Sequence, residues 1–339
     1  VSELSGIPLV DRAHVLQTAL SIYPEVENWV AQFTVILPQR IAGTCLAIAA
    51  TAPHAQPSVI VEVSVISLIL FAVDDLGDIT ESFLDMTLTV EEVEVMLTLY
   101  VKLVQSGGNS TYRDYPDLIK VFSTINEAQP WMQLANALTK FCQELQKFPA
   151  ATIYYGILAK HFELALEAQR TELHWSQAFK ETGTYSTYEQ YLLNGRKSIA
   201  ASTVMSSLLA MVGEPVDSEF SLKPHANLET LIDEVMLTAC SSIRLANDIR
   251  SFERERQAQK PNSLLILMLT QGFSQKEAEA IILKEINTYL QKMETPISLL
   301  PPSLSAWGDT VRRLCWFSCA WYQTREFHDF TKQMLAALR

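Results

Sequence analysis

At 339 residues the chain is long enough for one large domain or two, and its 48% hydrophobic share supplies ample material for a buried core. The formal net charge of −12 argues against nucleic acid as a partner, because a grip on a phosphate backbone depends on clustered Lys and Arg. An anionic small molecule stays admissible if divalent cations supply the positive charge.

No secretory leader is expected, since Glu3, Asp11 and Arg12 interrupt the first stretch, and a first residue Val rather than Met reads as a trimmed N-terminus. Apolar periodicity then predicts helices over Val26–Val35, Val59–Val73, Val90–Val104, Trp131–Lys147, Thr152–Gln169, Tyr188–Met211, Leu228–Glu255, Ser263–Gln271, Lys276–Met293 and Trp307–Leu338. The longest apolar stretch, Val59 to Val73, carries Glu62 and falls short of the ~20 residues of a membrane span, so it reads as a core helix. Ser274 before Gln275-Lys276-Glu277 has the look of a capping box. Ser106–Ser110, Gly213-Glu214-Pro215 and the prolines at 296, 301 and 302 mark loops. Strand signals are weak, no repeat of 20–50 residues is visible, and neither GxGxxG nor GxxxxGK[ST] occurs. A single all-α domain over residues 1–339 is the economical reading. The cysteines, Cys45, Cys142, Cys240, Cys315 and Cys319, form no CxxC pair and suit free thiols in a cytoplasmic protein. His161 and His174 lack metal-ligand spacing and read as structural.

Two oxygen-rich patterns carry the chemistry. Asp74, Asp75 and Asp78 end the helix from Val59. Asp74 and Asp78 share a face, Asp75 points about 100° round, and all three crowd the negative pole of the helix dipole. Divalent cations would relieve that repulsion. In the run from Asn247 to Glu255, the amide of Asn247, the hydroxyl of Ser251 and the carboxylate of Glu255 recur at i, i+4 and i+8, on one helix face. Such neutral and anionic oxygens suit Mg²⁺.

Asp74-Asp75-x-x-Asp78 and Asn247-Asp248-x-x-Ser251-x-x-x-Glu255, with the helical content of the whole chain, resemble the class I terpene synthases (terpene cyclases). The resemblance implies an all-α, single helical bundle of the isoprenoid-synthase type, with three Mg²⁺ ions gripping the diphosphate of a linear prenyl substrate. It makes Asp74 and Asp78 metal ligands of the first motif, with Asp75 a ligand or the partner of an arginine. It assigns Asn247, Ser251 and Glu255 to the third ion. Arg196 falls near the family's diphosphate-sensing arginine, Arg254 near its cation before the final Glu, and Arg325 near its C-terminal Arg-Tyr pair, where Glu326 stands instead of Tyr. The family often places a small residue at a helix break after the sensor; here the stretch reads Ile199-Ala200-Ala201-Ser202.

Aromatic faces stabilise carbocations, and Phe71 and Trp316 are the expected cavity rings. The charged loop Arg256–Asn262 would act as a lid. The implied enzyme is a lyase that ionises a fifteen- or twenty-carbon (C15 or C20) prenyl diphosphate and cyclises the cation. It would act as a monomer or homodimer, with no nucleic acid and no membrane span. A chain-elongating isoprenyl synthase is the first alternative, although its second motif would be aspartate-rich. A non-catalytic helical scaffold is the other. A protonation-initiated cyclase would need DxDD, and position 72 is Ala.

Overall fold

The computed structural model describes residues 5–77, 88–122, 129–184, 186–216 and 227–338. In chain order these form α1 (Arg12–Val30), α2 (Ile41–Thr51), α3 (Pro57–Gly77), α4 (Val90–Gln105), α5 (Pro116–Ile119), α6 (Pro130–Leu145), α7 (Ala151–Thr182), α8 (Tyr188–Ser198) and α9 (Ala201–Val212). Then come α10 (Leu228–Gln257), α11 (Ser263–Gln271), α12 (Gln275–Lys292), α13 (Glu294–Ser298), α14 (Ser305–Tyr322) and α15 (Lys332–Ala337). No strand occurs among the described residues, and no helix there is long and apolar enough to cross a membrane.

The helix starts follow local chemistry. Thr89 with Glu92, Thr187 with Gln190 and Ser274 with Glu277 form capping boxes, so hydroxyl and carboxyl (or amide) groups satisfy amides that the first turn leaves free. Asn227 and Asn262 cap α10 and α11 through their side-chain oxygens.

Two helices extend beyond the sequence expectation: α1 starts at Arg12 and stops at Val30 where Val26–Val35 is expected, and α7 continues past Gln169 to Thr182. Three further differences have a clear physical reason. Every residue of α2 is buried, so its sequence has no polar face and no amphipathic period to detect. The segment expected as one helix from Tyr188 to Met211 is broken at Ala200, which adopts the left-handed conformation (φ 56°) between α8 and α9. The final expected helix, Trp307–Leu338, stops at Tyr322; a 3-10 turn (Phe327–Asp329) and α15 follow.

α3 is the central column. It packs on α1, α2, α6 and α9, with Ile60, Val63, Val65, Ile69 and Val73 all 0% exposed. α2 packs on α3 on one side and α14 on the other, and α14 packs on α10. α10 in turn meets α8, and α7 packs on α4, α8 and α9. Large side chains lock the layers: Phe122 stacks on Trp131 at 4.0 Å, and the Trp307 indole N–H donates to Met205 O at 2.9 Å. Helices α2, α3, α4, α7, α9, α10 and α14 all contribute residues to the wall of a shared cavity.

Glu62 is the exception in the α3 column. Burial, then the nearby Glu144 and Glu25, push its carboxyl up to about 7 from an ordinary 4.5, and its Oε2 has no hydrogen-bond partner among the described residues. A carboxyl raised on folding costs stability as pH climbs from the unfolded value through the folded one. Glu62→Gln should therefore raise stability at pH 8 by about 1–2 kcal/mol after discounting for solvent screening. The advantage should shrink towards pH 4.5 in urea titrations, and a pH-independent difference would refute the burial argument.

Candidate active site

The last turn of α3 presents Asp74 and Asp75 at the mouth of the cavity, with Phe71 one turn deeper. Asp75 accepts a hydrogen bond from Arg40 Nη2 at 2.7 Å, and both side chains are about nine-tenths buried (11% and 8% exposed). The same guanidinium lies 4.9 Å above the Phe71 ring. Asp75 is thus held by a cation from the turn before α2. Asp78 lies outside the described residues.

Across the mouth, α10 presents Asn247 and Glu255. Ser251 sits between them in sequence but is fully buried; its hydroxyl donates to Asn247 O at 2.9 Å and does not reach the cavity wall. Asn262 orients the Glu255 carboxylate, donating from one amide to Glu255 Oε2 (2.8 Å) and Asp248 O (2.9 Å). Tyr322 closes this edge; burial, then the Glu326 carboxylate, push its phenol up, while Arg40 and a hydrogen bond with Asn247 hold it down.

Behind α10 lies a buried ionic knot. Arg244 Nε is 2.8 Å from Asp248 Oδ1. Its guanidinium donates to the Tyr191 hydroxyl and to Ser198 Oγ (3.3 Å), and it pairs with Glu172 at 3.4 Å. Asp248 also accepts from Tyr191 (2.9 Å) and from the Ser263 amide (3.1 Å). Burial pushes the Glu172 carboxyl up, Arg244 and Ser198 pull it back, and Glu255 and Asp74 push it up again. Gly195 makes room for this: a Cβ there would stand 3.1 Å from Arg244 Cγ. Arg244 and Glu172 both line the cavity.

The expected cations divide. Arg254 lines the cavity and pairs with Glu326 at 3.4 Å. Arg196 does not line it; on α8 it lies about 100° beyond Gly195, towards Cys240 and Tyr289, and its Nε has no acceptor among the described residues. Arg325 is stacked on Trp321 (5.4 Å) and Phe330 (5.6 Å), while its neighbours Glu326, Phe327 and His328 reach the mouth. Trp316 is 44% exposed on the outer face of α14, whose Leu314, Ser318 and Tyr322 face inward instead. Periodicity could not tell which of the two α14 faces looks inward, since both are aromatic.

Sequence reasoning missed Arg40, Glu172, Arg244 and Asn262. One signal was available: Arg244 is the only charge in the run Leu237–Leu245, and a charge in a buried run is expected to be paired. Lys180 and Lys260 also line the cavity.

The donors present suit a hard divalent cation. Asp74, Asn247 and Glu255 offer carboxylate and amide oxygens into one space, and Glu172 registers both Glu255 and Asp74 as repulsive charges. Among the described residues no three Asp, Glu, His or Cys side chains converge on a point by themselves. Cations at this mouth would therefore share their coordination with a ligand.

The sequence matches the family described as terpene synthase family 2, C-terminal metal binding, over residues 66–292. Among curated proteins, (E,E)-geranyllinalool synthase of Arabidopsis thaliana is 27% identical over 165 residues, covering 49% of this chain and 15% of that protein. Ent-beyerene synthase KSL2, chloroplastic, of Oryza sativa subsp. japonica is 26% identical over 249 residues, 72% of this chain and 27% of that protein. The chain thus spans less than a third of the length of these relatives. Among solved structures, linalool/nerolidol synthase from Streptomyces clavuligerus aligns with a TM-score of 0.66 at 15% identity, covering 90% of this chain and 96% of that one. 2-Methylisoborneol synthase from Streptomyces coelicolor A3(2), in complex with Mg²⁺ and geranyl-S-thiolodiphosphate, gives 0.67 at 13% identity over 91% and 92%. At these identities the likeness is one of fold.

Removing one member of a buried ion pair strands the other, at a typical cost of about 3–5 kcal/mol. Arg244→Gln should lose stability on that scale, whereas Arg196→Ala should lose about 1 kcal/mol or less. Chemical denaturation of the two variants checks the ranking, and equal losses would contradict the burial pattern described.

Proposed function

Because the chain belongs to the terpene synthase family through its metal-binding region, we propose that it ionises a linear prenyl diphosphate of C15 or C20 length with Mg²⁺ and cyclises the resulting carbocation. The observation that carries this reading is the mixed lining of one cavity. Asp74, Asn247, Glu255, Arg244 and Arg254 line it together with Phe71 and the aliphatic side chains Leu97, Val204 and Ile243, and on α3 Phe71 stands about one turn back from Asp74 and Asp75. A diphosphate head and a hydrocarbon tail need both kinds of wall. The family's solved members with 2-fluorogeranyl diphosphate and geranyl-S-thiolodiphosphate bind molecules of the same shape.

Mg²⁺, three ions by the family pattern, would be held by Asp74, Asn247 and Glu255, with the Ser251 hydroxyl buried behind them on Asn247 O, and would supply Lewis-acid polarisation of the diphosphate oxygens when bound. The protein's own groups do the rest. Arg254 and Arg244 place fixed positive charge against the departing diphosphate, Arg254 from the rim and Arg244 from the wall. Arg244 replaces Arg196 in the sensing role, since it reaches the cavity. Phe71 offers its face to the nascent cation. Its ring packs against Phe327 at 5.1 Å, and Phe327 packs on Trp321 at 5.4 Å, so an aromatic collar screens the reacting carbon from water. Lys260 and Pro261, from the loop after α10, complete the rim as a lid would.

Incubation with ten-, fifteen-, twenty- and twenty-five-carbon diphosphates plus Mg²⁺ tests the reading through diphosphate release and product analysis. Chain extension upon adding isopentenyl diphosphate would instead indicate an elongating synthase. Asp74→Ala and Asn247→Ala should each cut diphosphate release about 100-fold or more with helicity intact. Near-wild-type release from either folded variant would sink the metal assignment.

Phe71→Ala removes cation stabilisation of about 0.5–2 kcal/mol and opens a void of ring size beside the first cation. It should change the product mixture while diphosphate release persists. An unchanged spectrum would leave Phe71 as packing alone.

A further inference from the structure

Arg244 is fixed firmly on one side and loosely on the other. Its Nε lies 2.8 Å from Asp248 Oδ1 and donates to the Tyr191 hydroxyl at 2.9 Å, and Nη2 donates to the same hydroxyl. The Tyr191 ring lies 5.0 Å from the guanidinium carbon, and bare Gly195 runs beside the aliphatic stem. Tyr191, Gly195 and Ser198 stand at i, i+4 and i+7, so one face of α8 cradles the whole side chain.

The third nitrogen, Nη1, has only longer contacts among the described residues. It lies 3.3 Å from Ser198 Oγ and 3.4 and 3.5 Å from the two Glu172 oxygens. A charge-assisted N–H···O bond is ordinarily about 2.7–2.9 Å long, so Nη1 is the loosest part of the knot. Glu172 is held more closely by Ser198, whose hydroxyl donates to Oε1 at 2.5 Å. Its side chain is 20% exposed and lines the cavity beside Arg244, and Glu255 and Asp74 act on it as repulsive charges. A carboxylate so placed competes with an entering anion for Nη1.

We propose that Glu172 is a resident counter-anion of Arg244, which an arriving diphosphate displaces from Nη1 and which returns there to help the diphosphate leave. The inference rests on the diphosphate binding proposed above. Asp248 and Tyr191 keep the guanidinium in place during the exchange, and Ser198 keeps Glu172 on the wall. The exchange breaks no covalent bond and moves no proton. Glu172 therefore holds the affinity for diphosphate below what Arg244 alone confers.

Calorimetric titration with inorganic diphosphate and Mg²⁺ tests this without turnover. Glu172→Gln keeps the shape and an oxygen for Ser198, and in that variant Arg244 retains Asp248. It should bind diphosphate about five- to tenfold more tightly than the wild type, the scale of one partly screened charge at close range. Glu172→Ala should shift affinity the same way should Glu172→Gln not fold. Glu94→Gln removes the same charge from α4, away from the cavity wall, and should stay within about twofold of the wild type. Unchanged or weakened affinity in a folded Glu172 variant, an equal gain in Glu94→Gln, or no diphosphate binding by the wild type overturns the proposal. Absence of diphosphate release by the wild-type protein on every prenyl diphosphate is a different result: it refutes the ionisation chemistry, and the binding comparison still decides the role of Glu172.

Discussion

Asp248 and Arg244 hold each other 2.8 Å apart with almost no contact with water (0% and 8% exposed), and the site is arranged around that pair. Asp248 fastens α10 to Tyr191 on α8 and to the first amide of α11. Arg244 reaches past bare Gly195 to Ser198 and Glu172, so α7, α8 and α10 meet at one guanidinium. Desolvating two charges is expensive, and such a pair repays it only with its remaining hydrogen-bonding groups satisfied. Tyr191, Ser198, Ser263 and Glu172 satisfy them here. With the rotation of α10 fixed in this way, Asn247 and Glu255 are presented to the cavity and Ser251 is turned behind them.

The aspartate-rich side is fixed by a separate pair. Arg40 joins Asp75 and covers Phe71, so the end of α3 is held by the turn before α2 on one side and, through Phe71 and Phe327, by the turn after α14 on the other. Asp74 is left facing the mouth. The two sides of the site therefore owe their geometry to different guanidiniums, and among the described residues neither side gathers three acidic, histidine or cysteine ligands by itself.

Much of this was legible in the sequence. Helices with one polar face, such as Val90–Gln105 and Gln275–Lys292, announced themselves by period and by Thr89 and Ser274 at their starts. Asp74, Asn247 and Glu255 were readable because oxygen donors repeated at helical spacing. α2 was invisible because it is buried all round. The break at Ala200 was hidden because a single left-handed residue needs no glycine when the surrounding packing enforces it. Arg196 stood out in the sequence and Arg244 did not, because distance along the chain from a motif says nothing about which side of a helix a charge is on; it is Arg244 that lines the cavity. Trp316 failed similarly: α14 carries aromatic residues on both faces, and only the neighbours of each face decide which one looks inward.

The mouth is also where segments far apart in the sequence meet. The turn at Pro38–Arg40 packs against the turn at Phe327–Asp329, Phe71 meets Phe327, and Lys332 pairs with Glu27 at 3.1 Å. Contacts separated by so much sequence are the last a growing polypeptide can make. Both oxygen-bearing helices, α3 and α10, precede residues 327–332 in the sequence, so the contacts that close the mouth are among the most non-local of the fold and are expected to form late in folding.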